Sequence, residues 1–471
     1  MDEERTALTS TTSLCPACLE RTPGEYEAAE DGVYLTRSCP EHGTASRKVW
    51  ESRDHWEWAR QFGPEDDDGC CGSAGTSSEC CDTALPEGDL AVEGEHACLA
   101  VVEITRDCNL SCSYCFASSG PGGDQLSFGA VVDLLETVKA EGGPRPIQFS
   151  GGEPTVHDRL PDLVEHARGM GFEHVEVNTN GIALARREGY ARCLAEAGVT
   201  AIYLQFDGLE RDTYEAIREV DLLDVKHEAL EACRAAELPV VLVPTVVPGT
   251  NDDEMGDVVR FALENTDVVQ SINFQPVAHF GRYATNDGRF SLDEAARRVA
   301  DQIDALEARD FLPVPCCSSY CQTSTAVMAD GDGGVLPLTG LLDLDNWGTL
   351  SGVIDEGDWM ELLAGTPAGR EAAATASSCC GIEIPGDAEV VPVTITGFMD
   401  ADAADADRLE NCCLSVPTPD GELVPFCAYN MTTEDGRYAL RNRHGWGGRD
   451  VVSGGDGTAD AGIPERTDGD R

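Results

Sequence analysis

Between Cys98 and Asp310, short apolar runs alternate with longer stretches whose apolar residues recur every three to four positions. The short runs are Leu99–Thr105, Ile147–Phe149, Val175–Thr179, Ala201–Gln205, Val240–Thr245 and Ser271–Phe274. Their length and their β-branched and aromatic content predict strands. Between them, Val131, Leu134, Leu135 and Val138 share one helical face, as do Leu160, Leu163, His166 and Ala167; Leu292 to Leu306 follows the last strand. Six βα units predict an α/β fold, here a partial (β/α)6 barrel with a parallel sheet and outer helices. Such folds collect their reactive groups at the C-terminal ends of the strands.

The flanks read differently. Residues 1–97 are cysteine-rich and irregular, apart from a hairpin from Glu25 to Arg37 that turns near Asp31-Gly32. The Gly- and Asp-rich piece holding Cys70-Cys71 and Cys80-Cys81 reads as a loop. Cysteine returns over 311–449, with doublets at 316/317, 379/380 and 412/413 and single residues at Cys321 and Cys427. The last stretch, 450–471, is Gly, Asp, Ser and Thr with few apolar groups, and is expected to be disordered. The expected organisation is therefore a ribbon-like region over 1–97, the barrel over 98–310, a cysteine-rich domain over 311–449 and a tail.

Charge narrows the setting. The chain has 86 acidic and 33 basic residues, a formal charge of -53. Such an excess repels itself in ordinary buffer and is screened in molar salt, where the Debye length falls to ~3 Å. The reading is a salt-adapted cytoplasm, that of a halophilic archaeon. A basic face for nucleic acid is absent. Only Lys48, Lys139 and Lys226 are lysines; the other basic residues are arginines. No apolar stretch follows the Met1 start as in a signal peptide. No run of ~18 apolar residues is present to span a membrane. Twenty-one cysteines in a cytoplasmic chain read as metal ligands rather than disulfides.

One cysteine group sits directly behind the first barrel strand. Cys108, Cys112 and Cys115 make a C-x3-C-x2-C run. Three thiolates at that spacing can hold three irons of a [4Fe–4S] cluster and leave the fourth open to a non-protein ligand. A zinc knuckle or a ferredoxin-type site would use the same three residues. Three further segments end later strands: Gly151-Gly152-Glu153-Pro154, Asn178-Thr-Asn180-Gly181 and Gln205-Phe206-Asp207-Gly208. In that order, behind that run, the chain resembles the radical S-adenosylmethionine (SAM) superfamily.

The resemblance implies that SAM chelates the open iron and is cleaved by one electron to methionine and a 5′-deoxyadenosyl radical. It implies SAM contacts for Gly151, Gly152, Glu153 and Pro154 at the methionine amino group. It implies contacts for Asn178 and Asn180 at the ribose and carboxylate. It adds Gln205 and Asp207 on the fourth strand and places Tyr114 on the adenine, which the segment Pro244 to Gly249 would also line.

At the N-terminus, Cys15-Pro-Ala-Cys18 and Cys39-Pro-Glu-His42 flank the hairpin. Two knuckles at that spacing predict a mononuclear zinc or iron site of Cys15, Cys18, Cys39 and either His42 or a more distant cysteine. With Val424-Pro-Phe-Cys427-Ala-Tyr-Asn430 near the other end, the whole pattern is similar to the archaeal tetraether lipid synthases and their dihydropterin methylase relatives. That similarity implies auxiliary [4Fe–4S] clusters, with Cys316, Cys321, Cys412 and Cys427 the best-matched ligands. The chain departs from the subgroup at Gly69-Cys70-Cys71-Gly72 and in its cysteine doublets.

Three functions follow. The leading one is a transferase-like radical SAM enzyme joining carbons on archaeal isoprenoid lipid chains, with peripheral membrane contact. The second is a methylase or modifier of a pterin-like small molecule, and the third a non-catalytic iron–sulfur redox protein. The first two need a reducing partner such as a ferredoxin. A lipid enzyme should show a long apolar tunnel reaching the SAM cluster, a pterin enzyme a short polar pocket. Among other residues, Cys193 and Cys233 are expected in the core and His157 on the surface. His279 and Arg282 would face the barrel mouth, where Arg282 can bind an anionic group.

Overall fold

In a computed structural model of the chain, residues 5–62, 98–283, 288–314, 318–329, 334–341, 390–433, 436–441 and 451–453 are described. The N-terminal region is more regular than its sequence pattern. β1 (Thr6–Leu14), β2 (Arg21–Ala29), β3 (Gly32–Cys39) and β4 (Gly43–Trp50) form an antiparallel sheet in chain order. The predicted hairpin is β2–β3. The outer strands were missed because β1 is mostly Ser and Thr and β4 is largely exposed, so neither alternates clearly. Helix α1 (Arg53–Arg60), capped by Ser52, follows and buries Trp56 and Ala59.

The barrel follows the predicted alternation. Its elements are β5 (Leu99–Thr105), α2 (Phe128–Ala140), β6 (Ile147–Gly151), α3 (Leu160–Met170), β7 (Val175–Thr179), α4 (Ile182–Arg186) and α5 (Tyr190–Ala197). Then come β8 (Ala201–Gln205), α6 (Arg211–Arg218), α7 (Leu223–Ala235), β9 (Val240–Val243), α8 (Met255–Leu263), β10 (Val269–Pro276) and α9 (Leu292–Ala300). All six strands pair in parallel.

The segment after residue 311 shares this sheet. It supplies β11 (Gln322–Ala329), β12 (Val390–Thr396), β13 (Leu414–Pro417) and β14 (Leu423–Pro425). β12 runs parallel to β10 at one edge, and β13 parallel to β5 at the other. The parallel order is thus β13-β5-β6-β7-β8-β9-β10-β12, two strands wider than the six expected. Val451–Ser453, inside the tail expected to be disordered, pairs with Asp124–Leu126.

The two faces of these strands differ. Ile147 and Phe149, Val175 and Val177, and Ile202 and Leu204 are buried in the core formed with the helices. The alternate residues, Gln148 and Ser150, Glu176 and Asn178, and Tyr203 and Gln205, face an internal cavity of about 910 Å³. A packed (β/α) barrel fills its interior with branched apolar residues. This one is hollow, and its wall sets amides, hydroxyls and carboxylates among apolar side chains such as Val101, Val241, Val243, Ile272 and Phe280.

The ribbon docks on the loop after β12. Ser13 Oγ donates to the Ala404 carbonyl at 2.6 Å, Tyr26 donates to Asp405, and Arg37 donates to the Asp402 carbonyl at 2.6 Å. Asp293 of α9 accepts from the Glu51 and Ser52 amides at 3.0 and 2.9 Å. Among the described residues, no helix is long and apolar enough to cross a membrane.

Candidate functional site

The cluster loop leaves β5 and is tied down on several sides. Cys108 N donates to Gly120 O at 3.1 Å, and Cys115 and Arg282 exchange backbone bonds of 2.8 and 3.0 Å. The Arg282 side chain donates to the Cys112 and Ser119 carbonyls at 2.5 and 2.9 Å. It therefore braces this loop, and it also lines the cavity, where the anion-binding role expected for it has its place. His279 stacks on Tyr283 and lies 3.7 Å from Asp400. Tyr438 donates to Phe116 O at 2.6 Å, and Arg441 pairs with buried Glu103 at 2.8 Å, so the chain's later part closes over the loop.

Cys108, Cys112 and Cys115 carry free thiols that line the cavity. Burial pushes the Cys108 thiol well up, and nearby Glu153, Cys112 and Cys115 add to the shift. Burial also raises Cys112, against the pull of Arg218. Converging buried thiols of this kind suit a metal cluster, which binds them as thiolates and displaces their protons.

The two glycines of the second motif serve this loop. Gly151 has φ +123°, and a Cβ there would sit 2.2 Å from Thr105 O. A Cβ on Gly152 would sit 2.1 Å from Asp107 O. Gly152 N and Glu153 N instead donate to Thr105 O and Asp107 O at 2.7 and 2.9 Å. Glu153 is 1% exposed and spends both oxygens on protein donors. Its Oε1 accepts from Thr155 N and Thr179 Oγ1 at 3.0 and 2.7 Å, and its Oε2 from Asn180 N at 2.7 Å. Pro154 starts a short 3₁₀ turn behind it.

Asn180 bonds Asn109 Oδ1 at 2.7 Å, which ties the third strand's end to the cluster loop. Gln205 takes a bond of 2.9 Å from Lys226 Nζ, which also donates to Asn180 O at 2.6 Å. Asp207 is 1% exposed and holds Arg218 through bonds of 2.7 and 2.6 Å. Arg218 reaches on to Tyr114 O at 3.3 Å and to the Cys112 thiol. Tyr114, Gly151, Gly152, Glu153, Asn178, Asn180 and Gln205 all line the cavity with the three cysteines.

Sequence reasoning missed Arg218, Lys226 and Asn109. One signal was available for Lys226, since in a chain with three lysines each one is conspicuous. It is fully buried, and burial pushes its pKa down to about 7 against the pull of Asp207.

Two other thiol groups were expected. Cys15, Cys18, Cys39 and His42 bring their ligand atoms within 4.8 Å of one another, so among the described residues His42 stands at the fourth position, an arrangement that suits a tetrahedral ion. A hydrogen bond from His42 holds the Cys39 thiol down at about 6. Cys321, Cys412 and Cys427 also line the cavity. Burial raises Cys427 well above its ordinary value, with Cys412 and Cys321 adding to it. They meet where the loops after β12 and β14 approach each other: Gly397 N donates to Cys321 O at 2.9 Å, and Met399 N to Cys427 Sγ at 3.4 Å. Arg408 donates to Cys321 Sγ at 3.2 Å. Cys316 lies outside the described residues, as do Cys70, Cys71, Cys80, Cys81, Cys317, Cys379 and Cys380. Cys193 is exposed rather than in the core, while Cys233 is buried as expected. His157 is buried, its Nε2 2.9 Å from Leu126 O, because the helix it precedes packs inward.

Comparison with known proteins follows this division. The family described as the radical SAM superfamily matches residues 102–262, and the HMPTM N-terminal zinc ribbon domain matches residues 7–51. The 7,8-dihydro-6-hydroxymethylpterin dimethyltransferase of Methanocaldococcus jannaschii is 32% identical over 480 residues, covering 89% of this chain and 93% of that protein. The GTP 3′,8-cyclase of Chlorobaculum tepidum is 33% identical over 215 residues, covering 44% of this chain and 62% of that enzyme. The crystal structure of Streptococcus suis SuiB bound to precursor peptide SuiA aligns over 63% of this chain and 69% of that one, with a TM-score of 0.38 and 13% identity. With its cluster loop inside the matched segment and a relative alike along nearly its whole length, the chain belongs to the radical SAM superfamily, in the family of the methanocaldococcal protein.

Proposed function

We propose that this enzyme activates a C–H bond of a pterin-like small molecule held inside the barrel and methylates that carbon from a second SAM, the reductant supplying one electron for each SAM consumed. The observation that carries the reading is the cavity's inner face. Gln148, Glu176, Asn178, Tyr203, Asn273 and Thr394 set hydrogen-bonding groups along the barrel wall; they are bonded to one another or to neighbours, and Glu176 keeps acceptor positions that a polar ring can use and an isoprenoid chain cannot. The family resemblance adds support. Dihydropterin and GTP, named for two relatives, share a 2-amino-4-oxopyrimidine ring. The lipid-coupling reading shares the cavity's apolar residues, Val241, Val243, Ile272 and Phe398 among them, but neither relative compared above by sequence is named for a lipid.

In this reading Cys108, Cys112 and Cys115 hold the [4Fe–4S] cluster of the superfamily. When bound, the cluster with SAM supplies a radical able to take hydrogen from an unactivated C–H bond. The chain's own groups orient and shield. Glu153 holds Asn180 in place, Arg218 keeps positive charge beside Cys112, and Lys226 joins the third and fourth strand ends. We further propose that Cys321, Cys412 and Cys427, with Cys316, hold an auxiliary cluster, and that the N-terminal site holds a structural metal.

The test is anaerobic turnover of reconstituted protein in molar salt with SAM, a strong reductant and 7,8-dihydro-6-hydroxymethylpterin. Mass spectrometry should find 5′-deoxyadenosine rising with pterin and a pterin product heavier by methyl groups. Pterin-independent cleavage with unchanged pterin would sink the reading. Lipid-dependent cleavage with hydrogen loss from a lipid product would restore the first alternative.

A further inference from the structure

We infer that Glu176 anchors the 2-amino-4-oxopyrimidine edge of the substrate, an assignment that rests on the pterin reading above. Other buried carboxylates among the described residues are held by arginine or by several protein donors. Asp207 holds Arg218, Glu103 holds Arg441, Asp400 holds Arg289, and Glu153 accepts four hydrogen bonds, from Thr155, Thr179 and Asn180. Glu176 differs. Its side chain is 12% exposed, and among the described residues its one ionic partner is His174. Among the described residues no arginine or lysine forms an ion pair with it.

The carboxylate is nevertheless fixed. His174 Nε2 lies 2.8 Å from its Oε1, and Gln148 Nε2 donates to its Oε2 at 2.8 Å. The other ring nitrogen of His174 lies 3.3 Å from Thr200 Oγ1, and that hydroxyl is bonded to the Val175 amide and carbonyl at 3.0 and 3.1 Å. Each carboxylate oxygen accepts two hydrogen bonds, so one place remains on each. Val175 and Val177 point into the helix layer, which leaves Glu176 facing the cavity.

A 2-amino-4-oxopyrimidine presents its ring N3–H and its 2-amino group as two parallel donors. That is the pattern a carboxylate takes in bidentate fashion, as it takes a guanidinium. Glu176 and Asn180 are four residues apart along one strand and its extension, about 13 Å at ~3.3 Å per residue. A pterin held at Glu176 therefore extends its second ring, with the C7 methylene and the 6-hydroxymethyl carbon, toward the strand ends that carry the cysteines.

The test is binding, measured apart from turnover. Full-length reconstituted protein in molar salt is dialysed anaerobically to equilibrium against 7,8-dihydro-6-hydroxymethylpterin. The comparison ligand is its 2-oxo counterpart, which lacks the amino donor. Wild-type protein should prefer the pterin by about tenfold to a hundredfold, the worth of one hydrogen bond to a charged group. Glu176→Gln should weaken pterin binding by a similar factor and remove most of the preference. The ligand comparison needs no variant, so a poorly folded Glu176→Gln protein does not block it. Wild-type binding without preference, or a preference unchanged in Glu176→Gln, overturns the assignment and leaves the pterin reading standing. Wild-type protein that binds neither compound overturns both.

Discussion

Gly152→Ala tests whether the second motif serves the cluster loop or only a ligand. The added methyl would lie 2.1 Å from Asp107 O and 2.7 Å from its carbonyl carbon, and real Cβ contacts are essentially never under 3.0 Å. The obstacle is backbone, so no side chain can swing aside. Relief requires the loop to withdraw by most of an ångström, which stretches the Glu153 N to Asp107 O bond of 2.9 Å. Overpacking costs about 1–3 kcal/mol and one weakened buried bond about 1 more. A destabilisation of ~2–4 kcal/mol lowers the barrel's unfolding midpoint by about 5–15 °C. The assay is thermal unfolding of metal-free protein in molar salt, followed by iron content after reconstitution. Both should fall. Gly151→Ala should fall further, since φ +123° adds backbone strain of ~1–3 kcal/mol. Metal-free Gly152→Ala that melts with wild type, and loses only SAM affinity, would refute the packing argument.

Other consequences are open to measurement. Burial, helped by Arg309, pushes His55 down to about 4. The unfolded chain, with His near 6.5, therefore binds the extra proton between those values, and stability falls by up to ~3 kcal/mol as pH drops through that window. His55→Phe should flatten the slope; acid melts of the two proteins that superimpose would contradict this. Chelating the metal at Cys15, Cys18, Cys39 and His42 should speed hydrogen exchange over β1 to β4 before the barrel strands, and uniform exchange would argue against a structural ion there. Arg218→Gln should move the cluster midpoint, followed by EPR, negative by tens of millivolts, since a buried positive charge beside Cys112 is lost. An unmoved midpoint would remove that role. Cys427→Ser should lower iron by about four per chain while sparing the Cys108 cluster, if the second thiol group holds its own.

The barrel was legible because its strands are short apolar runs separated by helical periodicity. Val175–Thr179 and Ala201–Gln205 match their predicted bounds to the residue. β12 was not legible. Pro392 interrupts it, and its partners, Ile272 to Phe274, lie more than a hundred residues away. β13 pairs with β5 through two residues across a far wider gap, from Leu414 back to Leu99. Within the site, residues in contiguous motifs were found and those supplied by helices were not. Arg218 ends α6 and Lys226 lies in α7, so each reaches the strand ends only through the fold. Motif reading gave Gly152 and Glu153 to a ligand; they line the cavity, but the fold also has Gly152 N donate to Thr105 O and Glu153 accept from Thr155, Thr179 and Asn180, which no motif shows.

The hollow barrel separates two kinds of evolutionary constraint along each strand. On β7, Val177 holds the helix layer, and a core truncation there would cost kilocalories. Its neighbours Glu176 and Asn178 face the cavity, where they bond only other polar side chains of the wall, Gln148 and His174 for Glu176 and Ser150 for Asn178. Inner positions can therefore drift toward a new ligand while outer ones keep the protein folded, and each strand offers such positions at every second residue. A lineage that needs a different small molecule can rewrite the interior one position at a time, without first acquiring a more stable scaffold.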